Sequence, residues 1–304
     1  MRADGASRRL PFIRQEGAWL RFSCRGGVGG ELLALVVSGL LVSAAARAQG
    51  PPPAPETGPC SLAAAEPATI AGISDDFDLQ LSDGRRATLA GVAFPQAKGA
   101  QRDAALTRLI AWLDGAQVFV ETLAAAPDRW GRLPVQVIAA SSDAPGAPLV
   151  SVGEAMIGEG LARYRPDRAG AACAKRYLGA ETGPRAHRDG VWAQDPEIDA
   201  SGASSATLEA LARKKGMTVL SGRVTSIGET TAALFLNFGK NRGRDASVVI
   251  SRKNLPIFLA RGWIPRSLLG RRIRVRGLIE TNNGPRIEIS SPAEIELLGD
   301  ASEN

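Results

Sequence analysis

Short stretches in which apolar and polar residues alternate recur along the chain, and they predict half-buried β-strands. The clearest lies within residues 75–96, where Leu79 and Leu81 alternate with polar neighbours. The Asp83-Gly84 pair that follows is typical of a tight turn, and the returning strand ends at Pro95. The pattern therefore predicts an antiparallel hairpin with one buried face.

Beyond the hairpin, apolar residues recur at helical spacing in three stretches and follow strand patterns in two others. Pro184 falls inside the last helical stretch, where its missing N–H predicts a kink or an early end of the helix. The predicted elements are, in order, a helix over 102–113, strands over 117–121 and 133–139, and helices over 150–163 and 171–187.

After a polar linker, alternation resumes in a second half of the chain. The predicted elements there are a short helix over 206–215, strands over 219–227, 232–238 and 246–251, a helix from Asn254 to Gly262, and strands over 271–280 and 285–289 joined by the turn Asn282-Asn283-Gly284. Three strands, a helix and a hairpin follow the order of an oligonucleotide/oligosaccharide-binding (OB) barrel. We therefore expect domains at 68–194 and 216–299, a connecting segment at 195–215 and a tail at 300–304.

The amino-terminal residues differ in composition from the rest. Six arginines in the first 25 residues precede an apolar run over 32–42, and Ala46-x-Ala48 is typical of a signal-peptidase site. Because the run is short for a membrane span, we expect a signal peptide over 1–48, cleaved after Ala48, with an uncleaved anchor as the alternative. The mature chain would be periplasmic or secreted, would begin with a proline-rich linker over 49–67, and would hold no stable membrane span.

Charge is divided unevenly between the two halves. Residues 49–204 hold 14 Lys and Arg against 19 Asp and Glu, whereas residues 205–304 hold 16 against 9. A basic domain is suited to a polyanion, so nucleic acid is one expected partner and an envelope protein is another. Trp263 is the one aromatic that the pattern leaves for base stacking. The candidate nucleic-acid-binding residues are Lys240, Arg242, Arg244, Arg272, Arg274 and Arg276, although a basic strand face is also commonly solvated or paired with acids.

The hairpin and several later motifs resemble the thermonuclease (staphylococcal-nuclease-like) family over about residues 68–194. The residues that carry the resemblance are Leu81, Asp83-Gly84-Arg85, Leu89-x-Gly91, Pro95, Asp128-x-x-Gly131-Arg132, Gly160-Leu161-Ala162 and Gly190-Val191-Trp192. The resemblance implies a five-stranded OB-type barrel with three helices. The second half resembles an OB-like module found after such domains in bacterial exported proteins. The expected fold class is α+β, mainly β, with two OB-type five-stranded barrels in tandem.

The resemblance also implies a phosphodiesterase site, with two aspartates for Ca²⁺, a glutamate as base and two arginines. Of these side chains only the second arginine is present, as Arg132. The other positions carry Phe77 and Ala93 for the aspartates, Phe94 for a neighbouring threonine, Gln96 for the glutamate and Thr88 for the first arginine. Since two carboxylate ligands and the base are missing, the sequence predicts lost catalysis.

Two alternatives remain open at this site. A register slip of one residue would place Asp76 and Asp78 as ligands, but it would also expose Leu79 and Leu81. Otherwise these aspartates are expected at a solvated strand end. Arg132 either faces a phosphate or pairs with a neighbour such as Asp128.

Two cysteines remain after the expected leader, Cys60 and Cys173. In an exported chain they are candidates for one disulfide, and free buried thiols are the alternative. Members of the resembled family often carry cysteines ahead of the first strand and in the last helix, which is where these two residues fall.

No other catalytic pattern takes the place of the missing site. The only histidine, His187, is expected at the surface near a helix end, and the sequence holds no nucleophile elbow, P-loop or dinucleotide fingerprint. We therefore expect an exported, catalytically degenerate binding module of the cell envelope, without a small-molecule cofactor. The alternative is an active nuclease that cleaves DNA or RNA, and only that alternative requires Ca²⁺.

Overall fold

The computed structural model describes residues 60–299 except 215, 242, 282 and 283, and for residues 62 and 214 it describes the backbone alone. These residues belong to one compact unit. The predicted signal peptide at 1–48, most of the linker, the carboxyl-terminal tail and part of the Asn282-Asn283-Gly284 turn lie outside the described residues. Within the described part, no helix combines the length and the apolar character that crossing a membrane requires.

The first half of the described chain forms a closed five-stranded barrel. The strands of this half are β1 (Glu66–Ile73), β2 (Leu79–Leu81), β3 (Arg86–Leu89), β4 (Val92–Ala93), β5 (Gln117–Thr122), β6 (Leu133–Ala140), β7 (Leu149–Ser151) and β8 (Arg163–Tyr164), of which β4 and β8 form a separate pair and β7 extends the sheet beside β6. Strands β1, β2, β3, β6 and β5 pair in that order, and β5 returns to β1, which closes the barrel. The β3–β6 pair is parallel and the other pairs of the barrel are antiparallel.

The predicted hairpin is confirmed in its register. Leu79 lies opposite Ala87, and Leu79 and Leu81 are buried in the barrel core. Gly84 has a φ of 90° and its N–H donates to Leu81 O, as a turn glycine does. The apolar face of the alternating pattern is therefore the core face, and the one-residue slip is wrong.

Six helices accompany the strands in the described residues. They are α1 (Ala100–Leu113), α2 (Val152–Gly158), α3 (Ala174–His187), α4 (Val191–Gln194), α5 (Ser205–Lys214) and α6 (Leu255–Ala260). The helix predicted over 150–163 is too long at both ends, because Ser151 caps α2 and Gly160, with a φ of 70°, follows its end. The early end predicted at Pro184 is wrong, since α3 continues to His187 and ends at Arg188 in the left-handed conformation.

The second half forms a barrel with the same strand order. Its strands are β9 (Ile198–Asp199), β10 (Met217–Arg223), β11 (Ser226–Glu229), β12 (Ala233–Asn237), β13 (Ser247–Ser251), β14 (Arg272–Thr281), β15 (Pro285–Ile289) and β16 (Ile295–Leu298). The pairing runs β11-β12-β13-β15-β14-β10, with β13 and β15 parallel. The first and last strands of this order, β11 and β10, are consecutive along the chain and are separated only by Val224 and Thr225. The two ends of the sheet are therefore joined, and the barrel closes. The single strand predicted over 219–227 is thus two strands, and the α+β, OB-type fold class is confirmed.

Buried residues connect the two barrels. Trp192 of α4 is fully buried and forms an apolar cluster with Val191 and with Val219 of β10. Beside this cluster, Nη1 and Nη2 of Arg276 in β14 both donate to Glu181 Oε2 of α3 at 3.0 Å, and Nη1 also donates to Glu181 Oε1 at 3.3 Å. Both side chains are almost completely buried, so the contact between the barrels is partly ionic.

A disulfide joins Cys60, ahead of β1, to Cys173, directly before α3. Their Cα atoms lie 5.4 Å apart, within the usual range for a bridge. The disulfide suggested by the cysteine count is therefore present, and it closes a loop of 113 residues around the first barrel.

Candidate functional site

The loop between β1 and β2 turns the Phe77 side chain into the barrel. Ser74 organises this loop, since its N–H donates to Asp78 O, its carbonyl accepts from Phe77 N, and its hydroxyl accepts from Asp78 N at 3.1 Å. Phe77 has a φ of 63°, a conformation that is rare for a bulky residue. The short strand β2 therefore begins after Phe77, and the side chain at that position points inward and is 3% exposed.

Phe77 stacks on Phe94, which follows β4. Their ring centroids are 4.2 Å apart and the ring planes differ by 3°. Both rings are buried, and the guanidinium of Arg102 lies 5.6 Å from the centroid of the Phe77 ring. An apolar stack therefore fills the position where the resembled family would require a carboxylate and a threonine around a hard cation, and such a cation needs oxygen ligands.

The remaining substituted positions add no charged oxygen. Thr88 is half-buried in β3 opposite Pro134, and Ala93 pairs with Arg163 between β4 and β8. Gln96 is exposed, and its side-chain amide donates to Phe94 O at 3.1 Å. These residues do not fit Ca²⁺, and the described residues hold no cluster of three or more acidic, histidine or cysteine side chains suited to a metal.

Arg132, the retained position, lies in a compact ion-pair cluster. Its Nη1 donates to Asp78 Oδ1 at 2.9 Å, and its Nε and Nη2 donate to Asp128 Oδ2 at 2.9 and 2.8 Å. Asp78 also accepts from Arg86 Nη2 at 2.6 Å. Arg132 therefore pairs with Asp128, one of the two alternatives from the sequence, and two carboxylates neutralise its charge.

Two members of the cluster, Arg132 and Asp128, have pKa values that are shifted toward their charged forms. Burial lowers the pKa of Arg132, but its bonds to Asp128 and Asp78 outweigh burial, and that pKa is raised overall. Burial raises the pKa of Asp128, but the donors Arg132 and Trp130 outweigh it, and that pKa is lowered overall. The arrangement is a closed salt bridge, because each of the three guanidinium nitrogens of Arg132 donates to a carboxylate.

The aspartates that the register slip would use do not lie in equivalent surroundings. Asp78 is buried at the start of β2, so the expectation of a solvated strand end is wrong for it. Asp76 has an 87% exposed side chain, 3.7 Å from Arg102, and the backbone carbonyl of Asp75 accepts from the same guanidinium. Asp78 forms ion pairs with two arginines, Arg86 and Arg132, whereas Asp75 and Asp76 lie at the surface.

Sequence reasoning missed Trp130. It is 56% exposed on the loop before β6, and the guanidinium groups of Arg129 and Arg132 lie 3.9 and 4.7 Å from its ring. Its carbonyl accepts from Arg86 at 3.4 Å. The sequence shows a tryptophan between two arginines in a loop that contains a glycine, and this pattern could have identified it. Hydrophobic periodicity predicts strands and helices and gives no information on aromatic residues in loops.

In the second barrel, the arginines of β14 are not an open basic face. Arg276 is 1% exposed and pairs with Glu181 and Glu296, and Arg274 pairs with Glu197 at 2.8 Å and with Glu296 at 3.1 Å. The alternation placed these arginines correctly on the side of β14 away from the barrel core, but on that side Glu181 of α3 lies against Arg276, and Glu296 of the neighbouring strand β16 pairs with both arginines. Arg276 therefore belongs to the contact between the barrels, Arg274 is bound by Glu197 of the connecting segment, and neither side chain forms an open basic face.

The other candidate cations differ in exposure. Lys240 and Arg244 are exposed in the loop between β12 and β13, and Arg242 lies outside the described residues. Arg272 is partly exposed and lies 3.5 Å from Asp199. Trp263 is half-buried and packs against the second core, so it is not a free stacking platform.

His187 is exposed at the end of α3, as expected, with its Nδ1 3.9 Å from a carboxylate oxygen of Asp189. The predicted site residues thus divide into one connected cluster around Arg132, a surface group in the second barrel, and buried contacts between the barrels.

Comparisons with known proteins add little to this description. No family model matches the chain, and no curated protein matches it. Among solved structures, the extended Tudor domain of Drosophila melanogaster Tudor-SN (p100) is similar, with 17% identity over 36% of this chain, and the TM-score is 0.29. The similarity spans 47% of that chain. The OB-type fold of the barrels follows from their strand order.

Proposed function

We propose that this chain is an exported, thermonuclease-like protein that has lost catalysis and acts as a binding module in the cell envelope. The observation that carries the proposal is the buried Phe77–Phe94 stack in the position of the cation ligands. A hard divalent cation gains nothing from two phenyl rings, and Gln96 is neutral and cannot act as a base.

The ion pairs of Arg132 support the same proposal. An arginine that stabilises a phosphoryl transition state must direct free donors at the oxygens on which charge develops. Arg132 instead holds Asp78 and Asp128, and this gives it a structural role in ordering the loop that carries Trp130.

An oxidising compartment fits the disulfide. Cysteine pairs persist mainly in exported proteins, and the Cys60–Cys173 pair is consistent with the predicted signal peptide. Export to the periplasm or the medium stays part of the proposal.

The test is a cleavage assay with the mature chain, single-stranded DNA and millimolar Ca²⁺, compared with the same reaction in chelator. We expect no Ca²⁺-dependent cleavage. Cleavage that requires Ca²⁺ and disappears in both Arg132→Ala and Asp78→Asn would overturn the proposal and establish the nuclease alternative.

A control must separate nuclease activity of this chain from a contaminant. Arg188→Ala removes an exposed arginine at the end of α3, outside the cluster, and leaves the charge of the variant equal to that of Arg132→Ala. Trace cleavage that is the same in Arg132→Ala, Arg188→Ala and the unmodified chain comes from a contaminant and supports the proposal.

A further inference from the structure

The second barrel holds a long stretch without acidic residues. Between Asp245 and Glu280 no aspartate or glutamate occurs, whereas eight lysines and arginines do. Two of the eight are paired with acids from outside this stretch, Arg274 with Glu197 and Arg276 with Glu181. The other six lie in or next to the connection from β13 to β14, which includes α6 and a 3-10 turn at Pro265–Leu268.

This connection has an inner and an outer set of apolar side chains. Phe258 and Leu268 are buried in the second core and anchor the segment. Four large aliphatic side chains of the same segment are instead exposed by 48% to 58%: Ile257, Leu259, Ile264 and Leu269. Single exposed aliphatic residues are common, but four within thirteen residues of one segment are a local concentration of exposed apolar groups.

Exposed cations accompany these aliphatic residues. Lys253, Arg261 and Arg271 are exposed and form no ion pair with another described residue. Arg252 and Arg266 both bind Glu229 at the end of β11, at 3.0 and 2.7 Å. The segment therefore combines exposed aliphatic groups with more positive charge than the neighbouring acids compensate.

We propose that residues 252–271, here called the basic connection, dock on the surface of an anionic lipid membrane. Lysine and arginine near an anionic bilayer are attracted by its surface potential, while isoleucine and leucine enter the boundary between headgroups and acyl chains. Their charged groups remain in the headgroup layer because long basic side chains extend toward water.

The aliphatic character of the exposed set favours lipid over nucleic acid. Single-stranded nucleic acid is held by aromatic platforms together with cations. Of the two aromatics in this segment, Phe258 is buried in the second core and Trp263 is half-buried against it, whereas the four exposed groups are aliphatic. Phosphate contacts alone would leave these groups in water.

This inference goes beyond the proposed function, because it does not require the first barrel to be inactive. It specifies a partner in the envelope for the second barrel, and the two proposals fail independently, one in a cleavage assay and the other in a vesicle assay.

The experiment measures co-sedimentation of the mature chain with phosphatidylcholine vesicles that contain about one-third phosphatidylglycerol, and with vesicles of phosphatidylcholine alone. Binding is expected to the anionic vesicles only, and it should weaken strongly at about 1 M salt, where the Debye length is about 3 Å. Lys253→Gln and Arg261→Gln should each lower the partition coefficient about fivefold. Ile264→Asn should lower it about tenfold.

Matched controls distinguish the basic connection from general surface effects. Lys98→Gln removes an exposed lysine of the first barrel, and Leu278→Asn replaces a leucine of β14 with the same 58% exposure as Ile264. Neither control should change vesicle binding by more than about twofold. Equal losses in the controls and in the basic-connection variants would overturn the proposal.

Two further outcomes would also overturn it. One is the absence of binding to the anionic vesicles at low salt. The other is binding to single-stranded DNA that the same three substitutions weaken while vesicle binding is unchanged, which would assign the surface to nucleic acid.

Discussion

Replacement of Arg276 by glutamine tests whether this residue is structural or belongs to an exposed basic face. The Arg276 side chain is 1% exposed, and its Nη2 lies 3.0 Å from a carboxylate oxygen of Glu181 and 2.6 Å from one of Glu296. Burial lowers the pKa of Arg276, but the two carboxylates outweigh it and the pKa is raised overall. The guanidinium is therefore charged and fully paired in the folded protein.

The substitution lowers the free energy of unfolding because it leaves the buried carboxylate of Glu181 without its main partner. Glu181 is completely buried, and without Arg276 its carboxylate keeps the N–H of Tyr164 and one contact with Arg185 at 3.2 Å. Removing one partner of a buried ion pair typically costs about 3–5 kcal/mol, because the other charge loses compensation. We expect the free energy of unfolding to fall by an amount in that range.

A charge-free replacement should behave differently. In the double variant Arg276→Met with Glu181→Met, no buried charge is stranded, because Arg185 still contacts Glu197 at 3.3 Å and Glu296 still contacts Arg274 at 3.1 Å. Buried pairs can often be replaced by apolar residues at little cost, so the double variant should recover most of the loss.

The assay is urea denaturation followed by tryptophan fluorescence, with the slope of the transition compared among variants. Arg272→Gln is the matched control in the same strand, since Arg272 is 35% exposed and lies 3.5 Å from Asp199, and it should cost no more than about 1 kcal/mol. If Arg276→Gln destabilises the protein no more than this control, Arg276 is not buried as described and the account of the contact between the barrels is wrong.

Three other predictions concern the first barrel. Phe94→Ala should lower the free energy of unfolding by about 3–5 kcal/mol, and a double-mutant cycle with Phe77→Ala should give about 0.5–1.5 kcal/mol of coupling from the stack. The pKa of Asp128 is lower in the folded protein than its unfolded value of 3.8, so its carboxylate stabilises the fold above pH 3.8. This stabilisation is lost as the pH falls through the folded pKa. The difference in unfolding free energy between the unmodified chain and Asp128→Asn should therefore shrink below about pH 3.8. Replacing Cys60 and Cys173 together by serine should cost about 4–5 kcal/mol in the chain-entropy model for a loop of 113 residues.

Each of these has a contradicting result. An additive Phe77 and Phe94 cycle would show that the rings do not stack, and a constant difference for Asp128→Asn down to about pH 2 would show that its carboxylate is unpaired. Thiol titration of the denatured, unreduced chain should find no free thiol at Cys60 or Cys173, and two thiols there would show that the bridge is absent.

The sequence is most informative where burial alone decides a structure. The hairpin around Leu79 and Leu81 could be placed in register because a slip of one residue would expose both leucines. The second barrel could be recognised from the order of its strands, although the break between β10 and β11 could not, because both segments continue the same apolar pattern.

The sequence is least informative where partners are distant along the chain. The alternation of β14 separates Arg276 from the core residues, yet it does not reveal that Glu181, 95 residues away, covers that face. The Phe77–Phe94 stack could not be predicted for the same reason. The sequence shows both phenylalanines, but only the fold brings their rings into contact. The sequence predicts Asp78 at a solvated strand end, whereas the fold buries it and brings Arg86 and Arg132 beside it.

Calorimetric titration of the mature, disulfide-intact chain with Ca²⁺ tests the central claim most directly, because it asks about the cation site without depending on a substrate. With a stacked aromatic pair in the ligand position, we predict no saturable heat at millimolar Ca²⁺ and no change in melting temperature. Saturable binding that is lost in Asp78→Asn and retained in the surface control Asp143→Asn would contradict the account, because it would place a working cation site beside Arg132.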